Sequence, residues 1–97
     1  MDRLPALDDR RARFEDLMQF PAVTLMRVVG EPTEAVRTTA LAIASAGSLR
    51  PAALVGSRPS AHGHYVALHI EVEVRDAEAL RALYAALKAV PGVRIVL

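Results

Sequence analysis

Residues 65–75 read Tyr-Val-Ala-Leu-His-Ile-Glu-Val-Glu-Val-Arg. In this stretch Val66, Leu68, Ile70, Val72 and Val74 alternate without a break with Tyr65, Ala67, His69, Glu71, Glu73 and Arg75. A period of two is that of a strand whose successive side chains point to opposite faces. One face carries only large aliphatics and must be covered; the other carries charges and one small residue and meets water. A sheet covered on one side only is the antiparallel kind.

Working outward toward the C-terminus, Asp76 reads as a helix N-cap. Leu80, Leu83, Tyr84 and Leu87 then make a stripe at i, i+3, i+4 and i+7, with alanines filling the rest. Pro91-Gly92 breaks that helix, and residues 93–97 read as a last short strand. Toward the N-terminus, Ser60-Ala61-His62-Gly63 forms a hairpin loop joining the alternating strand to a weaker one over residues 52–59. Gly56 and Pro59 mark that weaker strand as an edge, because Pro cannot donate to a ladder. A helix over 34–46 precedes it, with Thr33 as N-cap, Val36, Ala40 and Ile43 along its inner stripe, and Gly47 at its end. Before that, Ala22–Gly30 is apolar on both faces: Thr24, Met26 and Val28 on one, Val23, Leu25, Arg27 and Val29 on the other. Such a strand belongs in the middle of a sheet.

The order is β-α-β-β-α-β. With right-handed crossovers it closes as an α+β, ferredoxin-like sandwich: a four-stranded antiparallel sheet in order 4-1-3-2, with two helices on one face. Residues 20–97 make this domain. Residues 1–19 are dense in charge and carry Leu7, Phe14, Leu17 and Met18 near helical spacing, so they read either as a short amphipathic helix or as a flexible lead.

Composition narrows the function classes. The 97 residues suit one domain. Twelve basic residues against eleven acidic give no electrostatic footprint for nucleic acid, and four aromatics leave no stacking platform for bases. The absence of Cys removes disulfides, a thiol nucleophile and thiolate metal sites. No run approaches the roughly 20 apolar residues of a membrane span, and the start lacks the apolar centre of a signal peptide, so a cytoplasmic location is expected. His62, His64 and His69 lie close in sequence, but opposite strand parity separates His69, and no Cys or nearby Asp completes a ligand set. No metal site and no cofactor is expected. Ser-His-Asp and paired-carboxylate arrangements are not evident either. An acylphosphatase-type anion cradle, which shares this topology, requires an Asn that the chain lacks. The expectation is a protein that is not an enzyme.

Five fragments together resemble the YbeD-like DUF493 (UPF0250) family over about residues 17–97. They are Phe20-Pro21, Arg27-Val28-Val29-Gly30, the loop Pro59-Ser60-Ala61-His62-Gly63-His64-Tyr65, Leu83-Tyr84-x-x-Leu87, and Val93-Arg94-Ile95-Val96-Leu97. The resemblance implies a small bacterial protein of uncharacterised function with a fold similar to ACT regulatory domains, and it brings no catalytic residues. Members commonly read Pro-Ser-Ser-Lys-Gly-Asn-Tyr in the loop; here Ala61, His62 and His64 stand in place of the second Ser, the Lys and the Asn.

Three places are candidates for function. The loop with Arg58, Ser60, His62, Gly63, His64 and Tyr65 reads either as a small anion or partner site or as a plain turn in which Gly63 supplies a positive φ. Gly30 ends the first strand where ACT-like domains let an amino-acid effector approach the backbone; a tight β–α turn wants Gly as well. The uncovered sheet face should present Val23, Leu25, Val29, Ala67 and Val96 within a rim of Arg27, Arg94, Glu71 and Glu73. That pattern suits a homodimer or a protein partner, and equally a scatter of exposed aliphatics. The leading expectation is a non-catalytic regulatory or interaction module that self-associates through its sheet. The alternative is an ACT-like small-molecule sensor at the first β–α turn.

Overall fold

The alternation of residues 65–75 is realised as a long strand in a computed structural model that describes residues 19–97. The expectations for residues 1–18 lie outside the described residues. Along the chain run β1 (Ala22–Gly30), α1 (Glu34–Ala46), β2 (Ala53–Pro59), β3 (Val66–Val74), α2 (Ala77–Lys88) and β4 (Val93–Val96). The sheet order is β2-β3-β1-β4 with every pair antiparallel, which is the expected order read from the other edge. The two-faced β1 is central and the Pro-terminated β2 is an edge.

One side of the sheet makes the core. Met26 and Val28 of β1 and Leu68, Ile70, Val72 and Val74 of β3 are buried against Val36, Ala40 and Ala44 of α1 and Leu80, Leu83 and Leu87 of α2. Each of the larger aliphatics contributes roughly 1.5–3 kcal/mol by leaving water. The small α1 residues let that helix lie close to the sheet. Its inner stripe is Val36, Ala40, Ala44, with the expected Ile43 only half-buried: a spacing of i, i+4, i+8 brings the alanines, not the isoleucine, to the closest approach. Both helices begin as anticipated. The Thr33 hydroxyl accepts from the Val36 N–H at 3.2 Å and the Asp76 carboxylate from the Ala79 N–H at 2.8 Å.

Two irregularities matter for the open face. β2 slips register against β3 between Leu54 and Gly56, leaving Val55 as an extra residue that stands exposed. β4 slips against β1 at Val29/Gly30 and then pairs Val96 with Val28 and Ile95 with Val29. Val96 therefore sits on the core side, contrary to expectation, and Ile95 and Leu97 take the open side. A shift of one residue turns every side chain of a strand to the other face. Among the described residues no helix is long and apolar enough to cross a membrane.

Candidate functional site

The register lays out the open face row by row. Arg58, Ala67, Val29 and Ile95 lie side by side across the four strands. The next row is Gly56, His69, Arg27 and Leu97, where Arg27 and Leu97 exchange backbone hydrogen bonds of 2.9 and 2.8 Å. Below it come Ala53, Glu71 and Leu25, then Glu73 beside Val23. Val23, Leu25, Ile95 and Leu97 are each half or more exposed, at 50, 52, 50 and 59%. An exposed aliphatic alone is ordinary; four on β1, on its neighbour β4 and on Leu97 just past it, continuous with the half-buried Val29 and Ala67, form a patch. The expected face residues Val23, Leu25, Arg27, Val29 and Ala67 are thus brought together, and Ile95 and Leu97 join them. The signal that could have found those two is the β1 parity carried across the ladder, but the bulge that sets it is invisible in sequence.

The charges on the face fall unevenly. Glu73 is 3.9 Å from Arg50, and Arg94 is 3.9 Å from Glu31 while standing 5.9 Å from the Tyr65 ring centroid. Arg27 and Glu71 form no ion pair among the described residues.

The β2–β3 loop is built as a turn. Ser60 donates its N–H to the Tyr65 carbonyl at 2.9 Å and its hydroxyl accepts from the Tyr65 N–H at 3.1 Å, while the Gly63 N–H reaches the Ser60 carbonyl at 3.0 Å. Gly63 has φ +72°, the left-handed region that glycine tolerates, and a Cβ there would meet open space. His62 and His64 are exposed with ring centroids 6.1 Å apart. Among the described residues no group of three or more His, Cys, Asp or Glu could hold a metal ion. At the loop's base an open cleft of about 420 Å³ is lined by Val29, Val66 and Ala67 together with Arg58, Ser60 and Tyr65. A depression of about 450 Å³ between the end of α1 and the start of α2, lined by Gly47, Leu49, Arg75 and Ala79 among others, contains none of the anticipated residues.

Gly30 has a structural reason to be glycine. It is buried, and a Cβ there would lie 2.7 Å from the Gly92 carbonyl oxygen and 3.1 Å from Val93 Cα. The same carbonyl accepts the Glu31 N–H at 2.9 Å. The close approach that glycine permits is made by the α2–β4 turn of the chain itself.

Several known proteins are similar to this one. A UPF0250 protein of Shewanella putrefaciens is 32% identical over 88 residues, covering 88% of this chain and 96% of that protein. A UPF0250 protein of Shewanella loihica is 31% identical over the same shares. Among solved structures, a protein from H. pylori studied in solution superposes with a TM-score of 0.68 at 14% identity, over 100% of this chain and 98% of that one. The ACT domain of GTP pyrophosphokinase from Chlorobium tepidum superposes with a TM-score of 0.56 at 19% identity, over 77% and 94%. These two structures share the fold, as the resemblance to ACT domains implied. The family profile described as "Protein of unknown function (DUF493)" matches residues 15–97, and with that extent of match the chain belongs to the DUF493 (UPF0250) family.

Proposed function

We propose that this protein is a non-catalytic regulatory or interaction module of the cytoplasm that forms a homodimer through the open face of its sheet. The observation that carries the reading is the apolar patch of Val23, Leu25, Val29, Ala67, Ile95 and Leu97 on the side opposite both helices. The near-balance of charge supports a protein partner over nucleic acid.

Strand spacing and rise give the face about 20 Å by 26 Å, or about 500 Å² per copy and about 1,000 Å² buried in total. That is at the lower edge for a specific interface, so dissociation in the micromolar range is the natural expectation. Size exclusion with light scattering, run from about 1 to about 500 μM to bracket that range, tests it. The wild type should move from monomer to dimer and Leu25→Asp should stay monomeric. A wild type that is monomeric throughout removes the reading.

The second reading is an ACT-like sensor of a small molecule such as an amino acid, and it rests on the shared fold. Because Gly30 faces the Gly92 carbonyl, an effector would enter through the cleft between Tyr65, Arg58 and Val29 rather than at the first β–α turn. Thermal-shift screening against amino acids tests it, since a ligand that binds only the folded state raises the melting temperature. A flat response across the set counts against it.

A further inference from the structure

Four side chains mark the centre of the open face. Leu25 and Arg27 stand on β1, with Glu71 beside Leu25 and His69 beside Arg27 on β3. The two charges therefore occupy one diagonal of a rectangle and Leu25 and His69 the other. Neither charge has an ion-pair partner among the described residues, although each is at a position where a facing surface could supply one.

Resting on the self-association reading, we infer that the second copy docks so that Arg27 of each protomer faces Glu71 of the other. A two-fold axis that presses two copies of one face together must lie in the plane between them, and for an axis through the centre of this rectangle only the direction is left to choose. An axis along the Arg27–Glu71 line sets each charge against its own copy, Arg on Arg and Glu on Glu. An axis parallel to the strands puts Arg27 over His69 and leaves Glu71 over Leu25, a carboxylate on an aliphatic. An axis perpendicular to the strands puts Arg27 over Leu25. The remaining direction runs across the Arg27–Glu71 line and passes close to Leu25 and His69. It opposes Arg27 to Glu71 twice and closes Leu25 near its own copy.

With strands about 4.8 Å apart and same-face residues about 6.7 Å apart, that axis makes the strands of the two sheets cross at roughly 70°, near the orthogonal class of sheet packing. Paired charges at the centre of an interface choose orientation more than they add affinity, and like charges placed opposite are repelled. The second copy fits here because one patch holds both halves of the pair, as a self-complementary surface requires.

Charge exchange tests the orientation. Sedimentation equilibrium is run on wild type, on Arg27→Glu, on Glu71→Arg, on an equimolar mixture of the two, and on the double variant. Each reversal alone replaces two attractions by two repulsions and should weaken dimerisation on the order of 30-fold. The mixture should recover heterodimer and the double variant homodimer, and recovery itself shows that both chains are folded. If a reversal prevents folding, Arg27→Ala and Glu71→Ala in a double-mutant cycle should show coupling between the two positions. A dimeric wild type with reversals that dissociate within twofold of it, or a mixture that fails to recover, overturns the orientation while self-association stands. A wild type that is monomeric throughout overturns both.

Discussion

Replacing Gly30 by Ala separates the structural role of this glycine from a ligand-binding one, and its size follows from geometry. The added methyl would sit 2.7 Å from the Gly92 carbonyl oxygen and 3.1 Å from Val93 Cα. Both neighbours are backbone, and the carbonyl is also held by the Glu31 N–H at 2.9 Å, so neither can swing aside as a side-chain tip would. Forcing a methyl into such a place costs about 1–3 kcal/mol. For a domain of this length each kcal/mol moves the melting temperature by about 4–8 °C, so a mid-range penalty of about 2 kcal/mol lowers it by roughly 8–16 °C. Gly56→Ala is the internal control. A Cβ there meets only His69 Nδ1, at an ordinary 3.5 Å, and the loss of backbone freedom in the unfolded chain should stabilise by about 0.4–1 kcal/mol. Circular-dichroism melts of both variants without added ligand make the measurement. If Gly30→Ala melts within 2 °C of wild type, or below it by no more than Gly56→Ala does, the packing of β1 against the α2–β4 turn is not what holds this position to glycine.

Two further predictions concern the seams of the fold. β2 begins at Ala53 opposite Glu71, so Glu73 has no strand on that side. Instead its N–H reaches the Ser48 hydroxyl at 2.9 Å and its carbonyl accepts from the Leu49 N–H at 2.8 Å. Ser48→Ala strands that part-buried N–H and should cost about 1–2 kcal/mol in urea unfolding, whereas Ser48→Thr, which keeps the hydroxyl, should cost less. The Asp76 carboxyl is held below its usual 3.8, chiefly by the hydrogen bond from the Ala79 N–H, which outweighs the opposing effect of desolvation, with Arg75 and then Arg81 lowering it further. A depressed folded value means that the carboxylate stabilises the native state above the unfolded value and loses that effect as pH falls through the folded one. Asp76→Ala should therefore melt below wild type at pH 7, and the gap should close as pH is lowered beneath about 4; a gap that persists at pH 2 would contradict the sign.

The strict alternation of residues 65–75 carried most of the fold in plain view, because a covered sheet face must be aliphatic at every second position and nothing else in the chain has that period. The two caps, Thr33 and Asp76, were equally legible, since both lie at the start of an apolar stripe and bond within their own first turn. What escaped was nonlocal. Val96 looked outward by position, and only the β4 slip at Val29/Gly30 turns it to the core and brings Ile95 and Leu97 into the patch. Gly30 could be read as a ligand's approach or as a tight turn, and the neighbour that crowds it, Gly92, lies 62 positions along the chain where no local pattern points to it. Ser48 carried no signal at all, for its role depends on where β2 happens to start.

The asymmetry of the open face explains why a central strand apolar on both sides is more than a packing convenience. β1 places Leu25 and Val29 outward, with Ile95 of β4 beside Val29 and Leu97, just past β4, beside Arg27, while β3 places His69, Glu71 and Glu73 outward on the other half. A face that is half aliphatic and half charged gains little from a flat apolar partner, which would bury the β3 charges without pairing them. A partner that reaches across β1 onto β3 buries Glu71 unpaired unless it brings a cation, and the cation this surface itself offers is Arg27, one row and one strand away. Rotating a copy of the face onto itself about the axis across the Arg27–Glu71 line brings Leu25 near its own copy and supplies the missing counter-charge in a single operation.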